Sequence, residues 1–250
     1  MPIRIANLIQ LGSTEALAKV KAKDDWSKFG NATASQPSAA SVSASYGSSS
    51  GGSGTGWKKV ASPYTPPPPE FHKVTSTYAW GSKDALNTHK LLTKGERSAI
   101  RLYTGSSYTP MNNHLRHGMS STESTKKNSA LAIKGLNKGS MHKDTLIIRK
   151  VGFNHKQIGM LLKAGALEVG TVFSDPGLTS CSTTGSFHGT MRFEMLCKAG
   201  TKGMYVGPTK EGTISAHGGE NEFLMPPDVK MRVVGVFNQS GTPVIRVEVL

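Results

Sequence analysis

Residues 171–206 read TVFSDPGLTSCSTTGSFHGTMRFEMLCKAGTKGMYV. Four short β-type pieces lie in this stretch, at 171–173, 177–182, 191–196 and 203–206, and Gly or Pro separates most of them. Downstream the texture continues, with β-type pieces at 222–225, 230–237 and 244–249; one more precedes it, at 145–148. Upstream the period changes. Residues 123–136 (Leu131, Ile133, Leu136) and 155–167 (Ile158, Leu161, Leu162, Leu167) carry helical apolar spacing. Helices first and many strands later predict an α+β domain, a helical N-terminal part followed by a largely antiparallel β core.

Residues 33–56 are dominated by Ser, Gly, Ala and Thr, and Tyr46 is the only large apolar side chain there. Such a stretch buries too little surface to offset its ordering entropy. Pro66 to Pro69 follow and favour an extended polyproline segment. The expected organisation is an N-terminal extension (1–32, with a short helix around 13–29), a disordered linker (33–70) and a folded α+β domain (71–250). The glycine patch at 51–56 fails as a phosphate loop, since no strand precedes it and no Lys-Ser/Thr follows.

Composition narrows the function classes. Apolar residues make up 36% of the 250, below the usual globular share, so a core shares the chain with something polar. The net charge is +14, and 120–165 holds nine Lys/Arg against Glu123 and Asp144. Such a surface attracts an acidic protein, nucleic acid or a phosphate-bearing cofactor. Cys181 and Cys197 are too few for a disulfide framework, and no Cys/His spacing fits a metal site. No segment is apolar enough to span a membrane, and the first residues make a poor signal peptide. That leaves export or injection by a non-classical route, or carriage in a virion, open.

Three pieces could carry chemistry. Thr145-Leu-Ile-Ile-Arg149 is an apolar strand ending in a guanidinium, whose planar fork suits phosphate oxygens. In Phe173-Ser-Asp-Pro-Gly-Leu-Thr-Ser-Cys-Ser182, a Pro-Gly turn leads into a strand with Ser180 and Ser182 on one face, where short hydroxyls can orient a carboxylate. In Gly218-Gly-Glu-Asn-Glu222, Glu220 and Glu222 share a face if the segment is extended, and two carboxylates that close divide acid–base work from fixed charge. Singly, each is an ordinary surface pattern.

In this order the three resemble one family. Arg149, Ser180-Cys-Ser182 and Glu220-Asn-Glu222 look like the arginine, Ser-Thr-Ser and Glu-x-Glu signature of the ADP-ribosyltransferase toxins. Tyr103-Thr-Gly-Ser-Ser-Tyr108 with Met111-Asn-Asn-His-Leu-Arg116 is similar to a helical segment of the binary actin-modifying toxins and related phage and bacterial enzymes. Lys198-Ala-Gly-Thr-Lys-Gly-Met-Tyr-Val206 resembles their Gly-Thr-x-Gly-x-Tyr strand pair. The resemblance covers about 85–250. Cys181 replaces the middle Thr, and Lys150 the Gly that usually follows the arginine. Arg101 matches the helical segment and is set aside in favour of Arg149.

The resemblance implies a two-sheet core and transfer of ADP-ribose from NAD, as substrate, to an arginine of a target protein, without a metal. Glu222 would stabilise the charge developing on the ribose, Ser180 would hold Glu222, and Arg149 would clamp the diphosphate. Glu220 would orient the incoming arginine and take its proton. Tyr103 and Arg192 would also contact NAD, and 207–219 would be the loop presented to the protein substrate. Two alternatives stand beside this: an NAD glycohydrolase using the same residues with water as acceptor, and a basic nucleic-acid-binding or virion protein without catalysis, which rests on charge alone.

Overall fold

A computed structural model describes residues 3–4, 61–73, 87–118, 121–152, 167–185, 188–209, 212–217 and 221–250. The expected helix at 13–29 lies outside these, as do linker residues 33–60 and all but Leu167 of the expected helix at 155–167.

The helices precede the main run of strands. Helix α1 (Lys94–Leu102) starts at a reciprocal cap: Thr93 Oγ1 accepts from Glu96 N at 3.2 Å, and Glu96 Oε2 accepts from Thr93 N at 2.8 Å. A π-helical turn (Tyr103–Ser107), broken at the non-helical Gly105, leads into α2 (Tyr108–His117), which ends on the left-handed Gly118. Helix α3 (Glu123–Leu136) is capped by Thr122. Its period-3.6 stripe packs Ala132 and Leu136 with Ala99, Ile100, Tyr103 and Met111. Each of the larger ones, Ile100, Met111 and Leu136, contributes roughly 1.5–3 kcal/mol relative to exposure. Lys138 Nζ meets the buried Glu96 at 2.6 Å; that hydrogen bond leads the effects that lower the carboxyl's pKa.

Among the described residues there are eleven strands, three ahead of the helices and eight after them: β1 (Ile3–Arg4), β2 (Ser62–Pro63), β3 (His72–Lys73), β4 (Thr145–Val151), β5 (Val172–Ser174), β6 (Thr179–Ser182), β7 (Met191–Cys197), β8 (Met204–Tyr205), β9 (Glu222–Met225), β10 (Lys230–Gln239) and β11 (Thr242–Val249). All eight expected strands form. The hydrogen-bonded order is β1-β5-β10-β11-β7-β4-β6-β9-β8, with β2 added to β10 and β3 to β4. The α+β class thus stands, with two refinements. The expected two sheets are joined into one path by a single pair, Ile148↔Ser182. And β11 runs parallel to β7, because the chain returns from the β10–β11 hairpin into the centre of the sheet.

Beyond that junction β6 and β9 are buried on both faces. Cys181 and Phe223 enter the main core with Ile147, Met195, Val233 and Val247. One residue along in the strands, Leu224 meets the helical layer with Leu178 and Met204. Ser180, Ser182 and Glu222 lie on this second face, since Ser180 pairs with Leu224 and Ser182 with Glu222.

The last part of the expected linker is seated on the sheet. Strand β2 pairs with β10 at Phe237–Asn238, and β3 pairs with β4 at Thr145–Leu146. Residues 64–71 therefore cross β11 and β7 between these edges. Under them Arg246 donates to the Thr65 and Pro66 carbonyls at 2.7 and 3.2 Å, and Tyr64 Oη donates to the buried Glu194 at 2.9 Å. Glu194 also binds Arg246 at 2.6 Å, so a buried ion cluster lies beneath the strap. Phe71 packs on Leu146 and Leu196. A chain beginning at Phe71 should accordingly be less stable than one beginning at residue 60. Losing a partly buried aromatic ring costs about 3 kcal/mol, or roughly 6–12 °C in Tm at this size. Thermal melts of the two truncations check this; equal Tm values would show that the strap adds nothing.

Among the described residues no helix is long and apolar enough to cross a membrane.

Candidate active site

The junction of β4, β6 and β9 positions the chemistry. Ser180 and Glu222 are diagonal neighbours on one face of an antiparallel pair, and Ser180 Oγ donates to Glu222 Oε1 at 2.5 Å. The second oxygen, Oε2, accepts from Ser215 Oγ at 3.4 Å. Glu222 is 3% exposed, so both hydroxyls act on it with little competition from water. Ser182 does different work: its Oγ accepts from Gly185 N at 2.9 Å and ends the strand. Burial pushes the Cys181 thiol up to about 12, so it stays protonated and is no nucleophile.

Arg149 reaches this region from within β4, which continues past the strand end expected at 149 to Val151. Its Nη2 donates to Asp175 Oδ2 at 3.4 Å, while its Nη1 is buried and has no hydrogen-bond partner. Asp175 also takes both arms of Arg116, at 2.8 Å each. Two guanidiniums against one carboxylate leave a surplus positive charge and an open donor, which fits an anionic substrate group such as a diphosphate. The turn after Asp175 is held by α2, where Asn112 Oδ1 accepts from Leu178 N at 2.8 Å. A Cβ at Gly177 would lie 2.6 Å from Arg116 Nε, so a larger residue there would displace the guanidinium from Asp175.

The other expected site residues fall differently. Tyr103 is buried, and its hydroxyl donates to the Leu178 carbonyl at 3.0 Å and accepts from Asn112 Nδ2 at 3.0 Å. Burial raises its pKa far above the ordinary phenol value, so it remains a donor to the turn. Arg192 stands apart from Arg149: it pairs with Lys150 across the strands, whereas Arg149 pairs with Phe193. It bonds Glu194 at 2.7 Å and Gln239, and it sits over the Tyr64 ring. Glu220 lies outside the described residues. The period-two argument that linked it to Glu222 stops at Asn221, which adopts φ 49. Asparagine tolerates that left-handed conformation, and here the residue is pinned by Tyr205 Oη and by Thr183, which donates to its carbonyl.

The sequence profile of the ADP-ribosyltransferase exoenzymes matches residues 77–248, more than half of the chain. The chain belongs to the ADP-ribosyltransferase exoenzyme family. Solved structures share its fold. The toxin Plx2a from Paenibacillus larvae is 23% identical, with a TM-score of 0.58 over 68% of this chain and 93% of that one. C3stau2 from S. aureus, solved with NAD, is 16% identical, with a TM-score of 0.60 over 72% and 99%. The Clostridium limosum C3 exoenzyme is 18% identical, with a TM-score of 0.61 over 72% and 97%. No curated protein sequence matches the chain. The transferase thus has the fold of ADP-ribosylating toxins, and NAD is its substrate.

Asp175 and Ser215 were not singled out from sequence. Asp175 stood in view within the Asp-Pro-Gly turn, but turns commonly begin with Asp for local reasons. Ser215 sits in the loop expected to face the protein acceptor, among small residues that offer no pattern.

Proposed function

We propose that this transferase moves ADP-ribose from NAD to an arginine of a target protein, releasing nicotinamide. The observation that carries the reading is the buried Glu222 carboxylate, held by Ser180 at 2.5 Å. Cleavage of the nicotinamide–ribose bond builds positive charge on the ribose, and a fixed carboxylate in a dry site stabilises that charge most where it develops. Arg149, with its free Nη1, is the candidate ligand for the diphosphate. The arginine acceptor rests on Glu220 in the Glu-Asn-Glu sequence: a guanidinium is protonated near neutral pH, and a second carboxylate would orient it and take its proton. The basic charge of the chain favours an acidic acceptor surface, and a target-cell cytosol would supply both NAD and acceptor.

The experiment is nicotinamide release from NAD by the purified protein, with and without a small guanidine such as agmatine. The guanidine should accelerate release and be recovered carrying ADP-ribose. Release that is unchanged by the guanidine, with free ADP-ribose as the sole product, would favour the glycohydrolase instead.

A further inference from the structure

We propose that Asp175 is a positioning residue for NAD binding: it holds the Arg149 guanidinium in register through a carboxylate shared with Arg116. The inference rests on the reading of Arg149 as a diphosphate ligand and adds to it the group that sets its geometry. Asp175 is 1% exposed, and its place in the chain is fixed independently of either arginine. Its carbonyl accepts from Asp228 N at 2.8 Å, and its Oδ1 accepts from Gly177 N at 2.9 Å. From that anchor it grips Arg116 with two short bonds and touches Arg149 with one longer one. A two-armed bond fixes the plane of a guanidinium, whereas a single contact at 3.4 Å restrains one arm and leaves the other available. The arm left over, Nη1 of Arg149, is the one that is buried and unpartnered.

Three elements meet here, α2, β4 and the turn between β5 and β6, and that turn leads directly into Ser180. The same carboxylate therefore sets the diphosphate ligand against the strand that holds Glu222. A purely structural ion pair between Asp175 and Arg116 would need no third group. It would also give no reason for the surplus positive charge to stay buried.

The test is a double-mutant cycle on steady-state kinetics with NAD, with Tm measured throughout. Removing a negative charge beside two arginines should, on charge alone, tighten an anion. Positioning predicts the reverse: Asp175→Asn should raise KM for NAD about tenfold with a much smaller change in kcat, a coupling of ordinary size for contacting residues. In an Arg149→Lys background, where the planar fork is already lost, the same substitution should change KM less than about twofold. If Asp175→Asn does not fold, Asp175→Glu, which keeps the charge and shifts the carboxylate by one methylene, runs the same cycle. A lower KM in the Asp175 variant, or an equal factor in both backgrounds, would overturn the proposal while leaving Arg149 as a ligand. An unchanged KM in Arg149→Lys alone would instead remove the reading on which the proposal rests.

Discussion

Glu222→Gln is expected to lower kcat by about a hundredfold to a thousandfold, for ADP-ribosyl transfer and for slow NAD hydrolysis alike. The amide keeps the shape of the carboxylate and can still accept from Ser180, so the fold should be undisturbed. What disappears is the negative charge, and that charge matters most when the ribose becomes positive. The ground state carries less positive charge at that carbon, so KM for NAD should move little. Steady-state kinetics of nicotinamide release, alongside a melting curve, check this. Retention of both activities would remove Glu222 from the chemistry.

Glu220→Gln is expected to separate the two activities. Modification of a guanidinium should fall by about a hundredfold or more, the usual worth of a general base. Most NAD hydrolysis should remain, because water needs less help to attack and Glu222 is untouched. The prediction does not depend on Glu220 extending the β9 strand. Asn221 turns the chain immediately before Glu222 and is anchored by Tyr205 and Thr183. Glu222 is thereby held in the sheet independently of residue 220. Parallel assays of agmatine modification and ADP-ribose release distinguish the outcomes; equal loss of both would end the division of labour between the two glutamates.

Much of this was legible because the deciding signals are local. Strand pieces bounded by Gly and Pro, the helical apolar spacing of 123–136 and alternating small hydroxyls all report on their immediate neighbours. The Ser180–Glu222 contact follows once the two strands pair in register. What escaped the sequence depends on partners far apart in the chain. Tyr64 meets Glu194 at a separation of 130 residues, and nothing in a Pro-rich stretch signals a buried ion pair waiting beneath it. Arg246 and Glu194 become neighbours only because β11 lies parallel to β7. Asp175 looks like a turn residue until α2 brings Arg116 against it. The left-handed backbone of Asn221 was equally hard to foresee, since asparagine is one of the few residues that enters that region at little cost.

The central claim is transfer of ADP-ribose from NAD to protein arginine, and one measurement meets it directly. The purified protein is incubated with isotopically labelled NAD and a cell lysate, and the labelled proteins are digested and their modified residues mapped by mass spectrometry. The account predicts a small set of labelled proteins with ADP-ribose on arginine, and labelling slower by about a hundredfold or more with the Glu222→Gln variant. Label on another residue type would contradict the arginine assignment. Labelling at an undiminished rate in the Glu222→Gln variant would contradict the site itself.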